Sequence, residues 1–509
     1  MYDHLQVHFG EHMPNHKNYE SGPSGWRQMT YFIALIMWML SSCQTAAPPT
    51  VTDLPAATAT AAELPATNAP REIVENQPVP GGPVLLRSGI SLRKFAQADA
   101  GSIKLALHPP TGELYVLSPS SGLYRLNVGE PPSQLEKVAS TEDIAAGATL
   151  SGMSMGPDGR LFVVANSVVK RLYNQAIIRA GTLAEDGTFT WKTVAQSEPY
   201  PLSDTPFDHR FGGIVVSPDR KTLYVSSGSR TDHGEVENNS FNFQDTREVP
   251  LTAKIFQIPA DAENLTLAND EEALEAAGLI FARGTRNAYD MAFAPNGDLF
   301  GIDNGPDADF PDELNWLRQG NHYGFPWQFG DQDNPQQFPD YTSEGDRRLS
   351  SDFTAVQNGT YRTDPTFPKA PGGFTMPVAN LGPDAAIYRA EDGSERNAAE
   401  EGIPLYTFTP HRSPLGLVFS TSQEMPEDLR GDETTFGAFL LSWGAAGGTL
   451  TERGQDLLYL ELTKRDDNYE TTTTQIAREF KNPIDAELIE NRLYILEFGT
   501  GVIWELTFE

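Results

Sequence analysis

Met153-Ser154-Met155-Gly156-Pro157-Asp158-Gly159-Arg160-Leu161-Phe162-Val163-Val164 compresses a strand, a tight turn and a second strand into one short stretch. Proline presets φ for a turn, aspartate bonds its own backbone, and glycine accepts the left-handed conformation, so the apolar runs on either side are strands rather than one helix. The same grammar recurs along the chain. Before it stand Ile103 to Pro109, Leu114-Tyr115-Val116-Leu117 and Leu123 to Leu126, and in the quoted copy Val168 to Leu172 reads as a third strand. A third copy runs from Gly213-Ile214-Val215-Val216 through Ser217-Pro218-Asp219 and Leu223-Tyr224-Val225 to Ile255–Ile258, with an insertion before that last strand. A fourth is Met291 to Phe300 around Pro295-Asn296-Gly297. Two more follow: Gly416 to Phe419 with Phe439 to Leu441, and Asp485 to Leu488 with Leu493 to Leu496 and Val502 to Leu506.

Six units of three or four short antiparallel strands predict an all-β, six-bladed β-propeller, because radial repetition is one of the few ways such sheets protect their edges. A solenoid or a sandwich is the alternative on periodicity alone. Long inserts, above all residues 307–412, belong to loops on one face, where a rigid scaffold presents its functional groups.

Composition narrows the chemistry. Among 509 residues, 69 are acidic against 37 Lys and Arg, a formal charge of -32, and such a field repels phosphate backbones. Nucleic acid is excluded as a partner. The 44 glycines and 38 prolines suit many turns and disfavour a helical bundle. With a single cysteine there is no internal disulfide, Cys-rich zinc site or c-type haem attachment, so any metal needs oxygen or nitrogen ligands.

That cysteine, Cys43, closes the apolar run Tyr31 to Leu40 through Leu40-Ser41-Ser42-Cys43, after Lys17 and Arg27. The run is too short to span about 30 Å of hydrocarbon, and small residues before a thiol resemble a bacterial lipoprotein signal. Residues 1–43 are therefore expected to be a signal segment ending at a lipidated cysteine. The protein is then exported and meets the outer face of a bacterial membrane or cell envelope through its lipid anchor only. Residues 44–83, rich in Thr, Ala and Pro, cannot bury enough surface to offset their ordering entropy and read as a disordered tether. Residues 84–509 form the propeller.

Four stretches carry a family resemblance: His209-Arg210-Phe211-Gly212-Gly213 leading into Ser217-Pro218-Asp219; Arg286-Asn287; Asn304-Gly305-Pro306 followed by Asp312-Glu313-Leu314-Asn315; and Asn321-His322-Tyr323-Gly324-Phe325-Pro326. Pro410 to Gly416 adds a fifth. Together they resemble the soluble sugar dehydrogenases that use pyrroloquinoline quinone, the glucose/sorbosone dehydrogenase family, over roughly residues 90–509. The resemblance implies a six-bladed propeller that oxidises an aldose, sorbosone-like sugar or polyol and passes electrons to an acceptor the chain does not reveal. It makes His209 the base that takes the hydroxyl proton, a role suited to imidazole. It sets Arg286 and Asn287 against the quinone's carbonyls and makes the backbone oxygens of Gly305 and Pro306 ligands of a calcium ion that polarises it. Glu313 and the Tyr323 carbonyl match a second calcium site, with Asp331 or Asp333 as further ligands.

The chain also departs from that pattern. Ser229, after Gly228, stands where the family places an acid beside the catalytic histidine, which leaves the imidazole without its usual partner unless Asp232 or Asp208 serves. The family's basic clamp on the quinone carboxylates is replaced by Ser442-Trp443-Gly444-Ala445 and Lys481-Asn482-Pro483-Ile484-Asp485, so Lys481, Arg478 or Arg412 must reach in. The lost clamp supports a different class of function, a non-catalytic, calcium-stabilised propeller that binds glycans or proteins. A calcium-dependent hydrolase or lactonase has no independent motif here.

Overall fold

The computed structural model describes residues 81–509 except 130–132, 433 and 446. The expected signal segment with Cys43, and the expected tether up to residue 80, lie outside the described residues. Among the described residues no helix is long and apolar enough to cross a membrane.

Six antiparallel sheets form the blades. Blade one is Lys104–His108, Glu113–Ser118, Gly122–Asn127 and Glu136–Ala139; blade two is Thr149–Met155, Leu161–Val169, Tyr173–Leu183 and Phe189–Ser197. Blade three is Phe211–Val216, Thr222–Ser227, Lys254–Pro259 and Ile280–Arg283, and blade four has three strands, Ala288–Phe293, Leu299–Asp303 and Glu313–Leu317. Blade five is Pro414–Phe419, Thr435–Ser442, Asp456–Arg465 and Asn468–Arg478. In blade six the strands Pro483–Ile489, Arg492–Glu497 and Val502–Phe508 are completed by Ile90–Gln97 from the other end of the chain. The first strand of each blade packs beside the first strand of the next, and the sixth returns to the first, which closes the ring.

Second strands lie between neighbouring sheets and are buried on both faces, so their apolar runs are continuous rather than alternating. Leu114 to Leu117 and Leu161 to Ala165 are fully buried. Apolar side chains then join blade to blade: Phe162 and Ile178 meet Phe211 and Phe256, Phe300 and Ile302 meet Leu417 and Leu440, and Phe439 and Tyr459 meet Leu493 and Trp504. At about 25 cal/mol per Å² of apolar surface, such inter-sheet contacts are the main stabilising term.

Two strand readings change. Val168 to Leu172 is not a strand of its own: the second strand of blade two continues to Val169, and Lys170 and Arg171 turn the chain at φ of 53° and 62°. Two successive positive-φ residues match the right-handed twist of the flanking strands. In blade three, Ile280–Arg283 adds a fourth strand outside Lys254–Pro259, whose final position the sequence pattern had suggested.

Candidate functional site

Because every first strand runs the same way along the axis, whatever precedes a first strand or follows a second strand lies at one end of the ring. His209 precedes Phe211, Arg286 and Asn287 precede Ala288, Arg412 precedes Pro414, and Lys481 precedes Pro483. Gly228 and Ser229 follow Ser227, and Asn304 and Gly305 follow Asp303. The candidate site is built at this end.

His209 is half-buried. Its Nδ1 lies 3.2 Å from the Ser229 hydroxyl, which itself donates to the Thr231 carbonyl at 2.7 Å. Gly228 makes this approach feasible: a Cβ there would fall 2.4 Å from the His209 Cβ. Burial and the positive charge of Arg286 push the imidazole down to about 3, so it is neutral at ordinary pH. Neither suggested carboxylate orients the ring. Asp208 accepts from the backbone N–H groups of Ser203 and Asp204, and Asp232 is bound elsewhere.

Arg286 is nearly fully buried, and three of its five guanidinium N–H groups are engaged. Nε donates to the Asp232 carbonyl at 2.7 Å, Nη2 to the Asp232 carboxylate at 2.7 Å, and Nη1 to the Asn304 carbonyl at 3.2 Å. Burial opposes ionisation of Asp232, but Arg286 and His233 outweigh it and hold the acid at about 2. The Asn287 amide donates to the Asn304 side chain, which donates in turn to the Pro414 carbonyl. Asp303 ties the segment down by accepting the backbone N–H groups of both Arg286 and Asn287.

Sequence reasoning gave His233 no role and did not find Tyr361. Both are central to the packing. His233 is fully buried, with Nδ1 2.8 Å from Asp232 and Nε2 3.4 Å from the Thr360 carbonyl, and the Tyr361 ring stacks on it at 3.8 Å. The Tyr361 hydroxyl reaches Asp232, while the Ala355 N–H binds Asp307. The long insertion therefore seals onto the loop of blade three. Only the adjacency of Asp232 and His233 hinted at this, since Tyr361 lies far away in the chain.

The acidic run Asp303 to Glu313 does not converge on one ion. Asp309 pairs with Arg389 at 2.8 Å and His411 at 3.0 Å, and Asp312 accepts the N–H groups of Gly305 and Ser413. The Pro306 carbonyl, expected to be a calcium ligand, accepts the Ala308 N–H at 2.7 Å. Asp331 and Asp333 are exposed, on the turn after Gly330 and the short strand that follows it, and neither lines the cavity beside Glu313. Among the described residues no three His, Cys, Asp or Glu side chains meet in metal-holding geometry.

One smaller arrangement does suit a hard cation. Asp303 and Glu313 are direct cross-strand partners, both buried, and like charges so placed repel unless a proton or cation intervenes. Burial and then the charge of Asp303 push Glu313 up to about 8. Glu313 accepts from the Gly330 N–H at 2.6 Å and the Asn315 amide at 2.9 Å, while the Asn315 Oδ1 is buried without a hydrogen-bond partner. Beside them a cavity of about 10 Å³, room for one water or ion, is lined by Arg286, Asp303, Gly305, Glu313, Tyr323 and Gln328. Gly305, expected at one calcium site, and Glu313 and Tyr323, expected at a second, thus line a single cavity, and Pro306 and Asp331 do not line it.

The candidate replacements for the basic clamp fare unequally. Arg412 is fully buried, bound to Asp456 at 2.6 Å and to Glu452, and Arg478 points to Glu479 at 3.7 Å. Lys481 is exposed, with no carboxylate partner among the described residues, at the entrance to blade six.

Residues 158–352 match the family model described as "Glucose / Sorbosone dehydrogenase". A curated relative, quinoprotein glucose dehydrogenase B of Acinetobacter calcoaceticus, is 25% identical over 235 residues, 42% of this chain and 46% of the relative. The match thus spans about half the length of that relative. Two solved structures share the fold: a Trichoderma reesei protein of Carbohydrate-Active Enzymes Family AA12 (TM-score 0.53, 17% identity, 86% of this chain and 100% of that one) and the soluble aldose sugar dehydrogenase of Escherichia coli in its apo form (TM-score 0.52, 15% identity, 82% and 100%). His209, Arg286, Asn287 and the acidic run all fall inside the matched segment, and it is over this segment that the six-bladed propeller is similar to the glucose/sorbosone dehydrogenase family.

Proposed function

We propose that the chain is an exported, lipid-anchored dehydrogenase that oxidises an aldose or related polyol, with His209 taking the hydroxyl proton. One observation carries this reading: Nδ1 of His209 is engaged by Ser229, while Nε2 has no protein hydrogen bond among the described residues and the ring is only half-buried. A neutral imidazole with one nitrogen held and the other available is the arrangement a general base requires. When the alcohol becomes a carbonyl, its O–H proton passes to Nε2 and a hydride leaves from carbon.

Pyrroloquinoline quinone, the cofactor implied by the family, supplies the hydride acceptor when bound. Asn287 and the remaining guanidinium N–H groups of Arg286 would face its carbonyl end; for its carboxylates the exposed Lys481 and Arg478 are the cations of the three considered that could turn in, since Arg412 is fully buried and paired. Arg286 is held by Asp232 and Asn304, so it is fixed in place before any ligand arrives, a form of preorganisation. The insertion that carries Tyr361 shields Asp232 from water and strengthens its attraction to Arg286. Calcium would be held by Glu313, the Asn315 Oδ1 and the Tyr323 carbonyl, where its charge would relieve the Asp303–Glu313 repulsion.

His209→Ala tests the reading. Sugar-dependent reduction of a dye acceptor by the quinone-reconstituted protein should fall about 100-fold or more, while the melting temperature stays near that of the wild type. A wild-type protein that neither titrates with the quinone nor reduces the dye across a panel of aldoses would leave the non-catalytic, glycan- or protein-binding propeller as the better account.

A further inference from the structure

Ser229 is fully buried and its hydroxyl has one proton. The hydroxyl has two neighbours: the Thr231 carbonyl at 2.7 Å, which can only accept, and the His209 Nδ1 at 3.2 Å. The shorter contact takes the hydroxyl proton, so the oxygen faces the ring with its lone pairs and Nδ1 must carry a hydrogen. The main chain holds the two residues side by side without bearing on the tautomer: the His209 N–H is shared between the Phe207 carbonyl at 2.8 Å and the Ser229 carbonyl at 2.9 Å, and the Ser229 N–H donates to the Arg286 carbonyl at 2.6 Å. The two residues are thus clamped to each other by main chain and side chain.

We infer that Ser229 is the positioning residue of His209, fixing the tautomer with hydrogen on Nδ1 and the lone pair on Nε2 through a Ser229–Thr231 carbonyl relay instead of a carboxylate. A carboxylate in that place would hold the same tautomer but also stabilise the imidazolium. A hydroxyl holds the tautomer without adding charge. The charged groups facing the ring are Arg286 from the entrance to blade four, which disfavours protonation, and Asp232 from the loop of blade three, which favours it but is bound to Arg286; Asp208 and Arg210 flank the ring in sequence. The balance leaves a neutral ring over a wider acidic range than an Asp-paired histidine would have.

The inference rests on the dehydrogenase reading for its catalytic meaning, but its test does not. Nitrogen-15 spectra of histidine-labelled full-length protein, with His209 assigned by loss of its signals in His209→Gln, report the tautomer directly. Wild type should show the Nδ1–H form as the single neutral species, still unprotonated at pH 5, and Ser229→Ala should show a mixture of tautomers. In the active protein Ser229→Ala should also lower kcat about tenfold or more, with KM changed little. An Nε2–H ring in the wild type, or an unaltered tautomer in Ser229→Ala, overturns the inference. If the spectra agree and neither protein reduces a dye with any sugar, the positioning role stands and the dehydrogenase reading falls.

Discussion

Lys104 on blade one and Asp290 on blade four, opposite members of the ring, meet at 2.8 Å between Nζ and Oδ1. Asp485 of blade six joins them at 3.2 Å and accepts the Leu105 N–H at 2.6 Å, while Asp290 accepts the Leu417 N–H of blade five at 3.1 Å. Four blades are thus stitched together by one buried ammonium and two carboxylates. Burial works against the charge of Lys104, but Asp290 and Asp485 outweigh it and raise its pKa.

Lys104→Met leaves both carboxylates buried without a counter-charge. Loss of one partner from a buried pair costs about 3–5 kcal/mol. Denaturant unfolding should show the unfolding free energy lowered by about that amount, and adding Asp290→Asn and Asp485→Asn to the same chain should recover most of it. A Lys104→Met protein as stable as the wild type would mean that the network contributes nothing to closure.

Glu487, also on the first strand of blade six, is pushed up to about 8 by burial and then by Asp485. A carboxyl with a raised folded pKa contributes stability that is complete below its unfolded value and is lost as pH rises through the folded one. The window here runs from roughly pH 4.3 to about 8. Glu487→Gln should therefore melt like the wild type near pH 4 and at a higher temperature than the wild type at pH 8. Equal melting temperatures at pH 8 would contradict the buried-charge account.

Calcium should raise the melting temperature and a chelator should lower it, because an ion beside Glu313 binds the folded chain and not the unfolded one. Glu313→Gln should lose the calcium response while folding well, since it also removes the repulsion with Asp303. Thermal scans with calcium and with chelator, on both proteins, decide it; an identical wild-type curve in each condition would remove the metal from the site.

Cys43→Ala should move the mature protein from the membrane fraction to the soluble one, since the thiol is the only one in the chain and the segment before it is too short to anchor as a span. Fractionation and intact mass are the readouts. An alanine variant that stays with membranes would make residues 31–43 part of a spanning helix.

The propeller was legible because its determinants are local. Pro157-Asp158-Gly159 and its counterparts turn the chain by their own backbone preferences, and continuous apolar runs such as Leu161 to Val164 need two covering sheets wherever they fold. His209, Arg286, Glu313 and Tyr323 could be picked out for a different reason: the short motifs around them resemble those of a known family, and strand periodicity alone singled out none of them. What the linear order could not reveal is which distant groups meet. Ile90–Gln97 closes blade six because its edge is free at the other end of the chain, and Tyr361 covers Asp232 from more than a hundred residues away. Whether a carboxylate binds a metal, a guanidinium or a backbone N–H depends on which donors the fold brings within about 3 Å, and that is a property of packing. The resemblance implied two calcium sites along the acidic run; tertiary structure engages its carboxylates with Arg389, His411 and the N–H groups of five other residues, and sets Ser229 against the histidine.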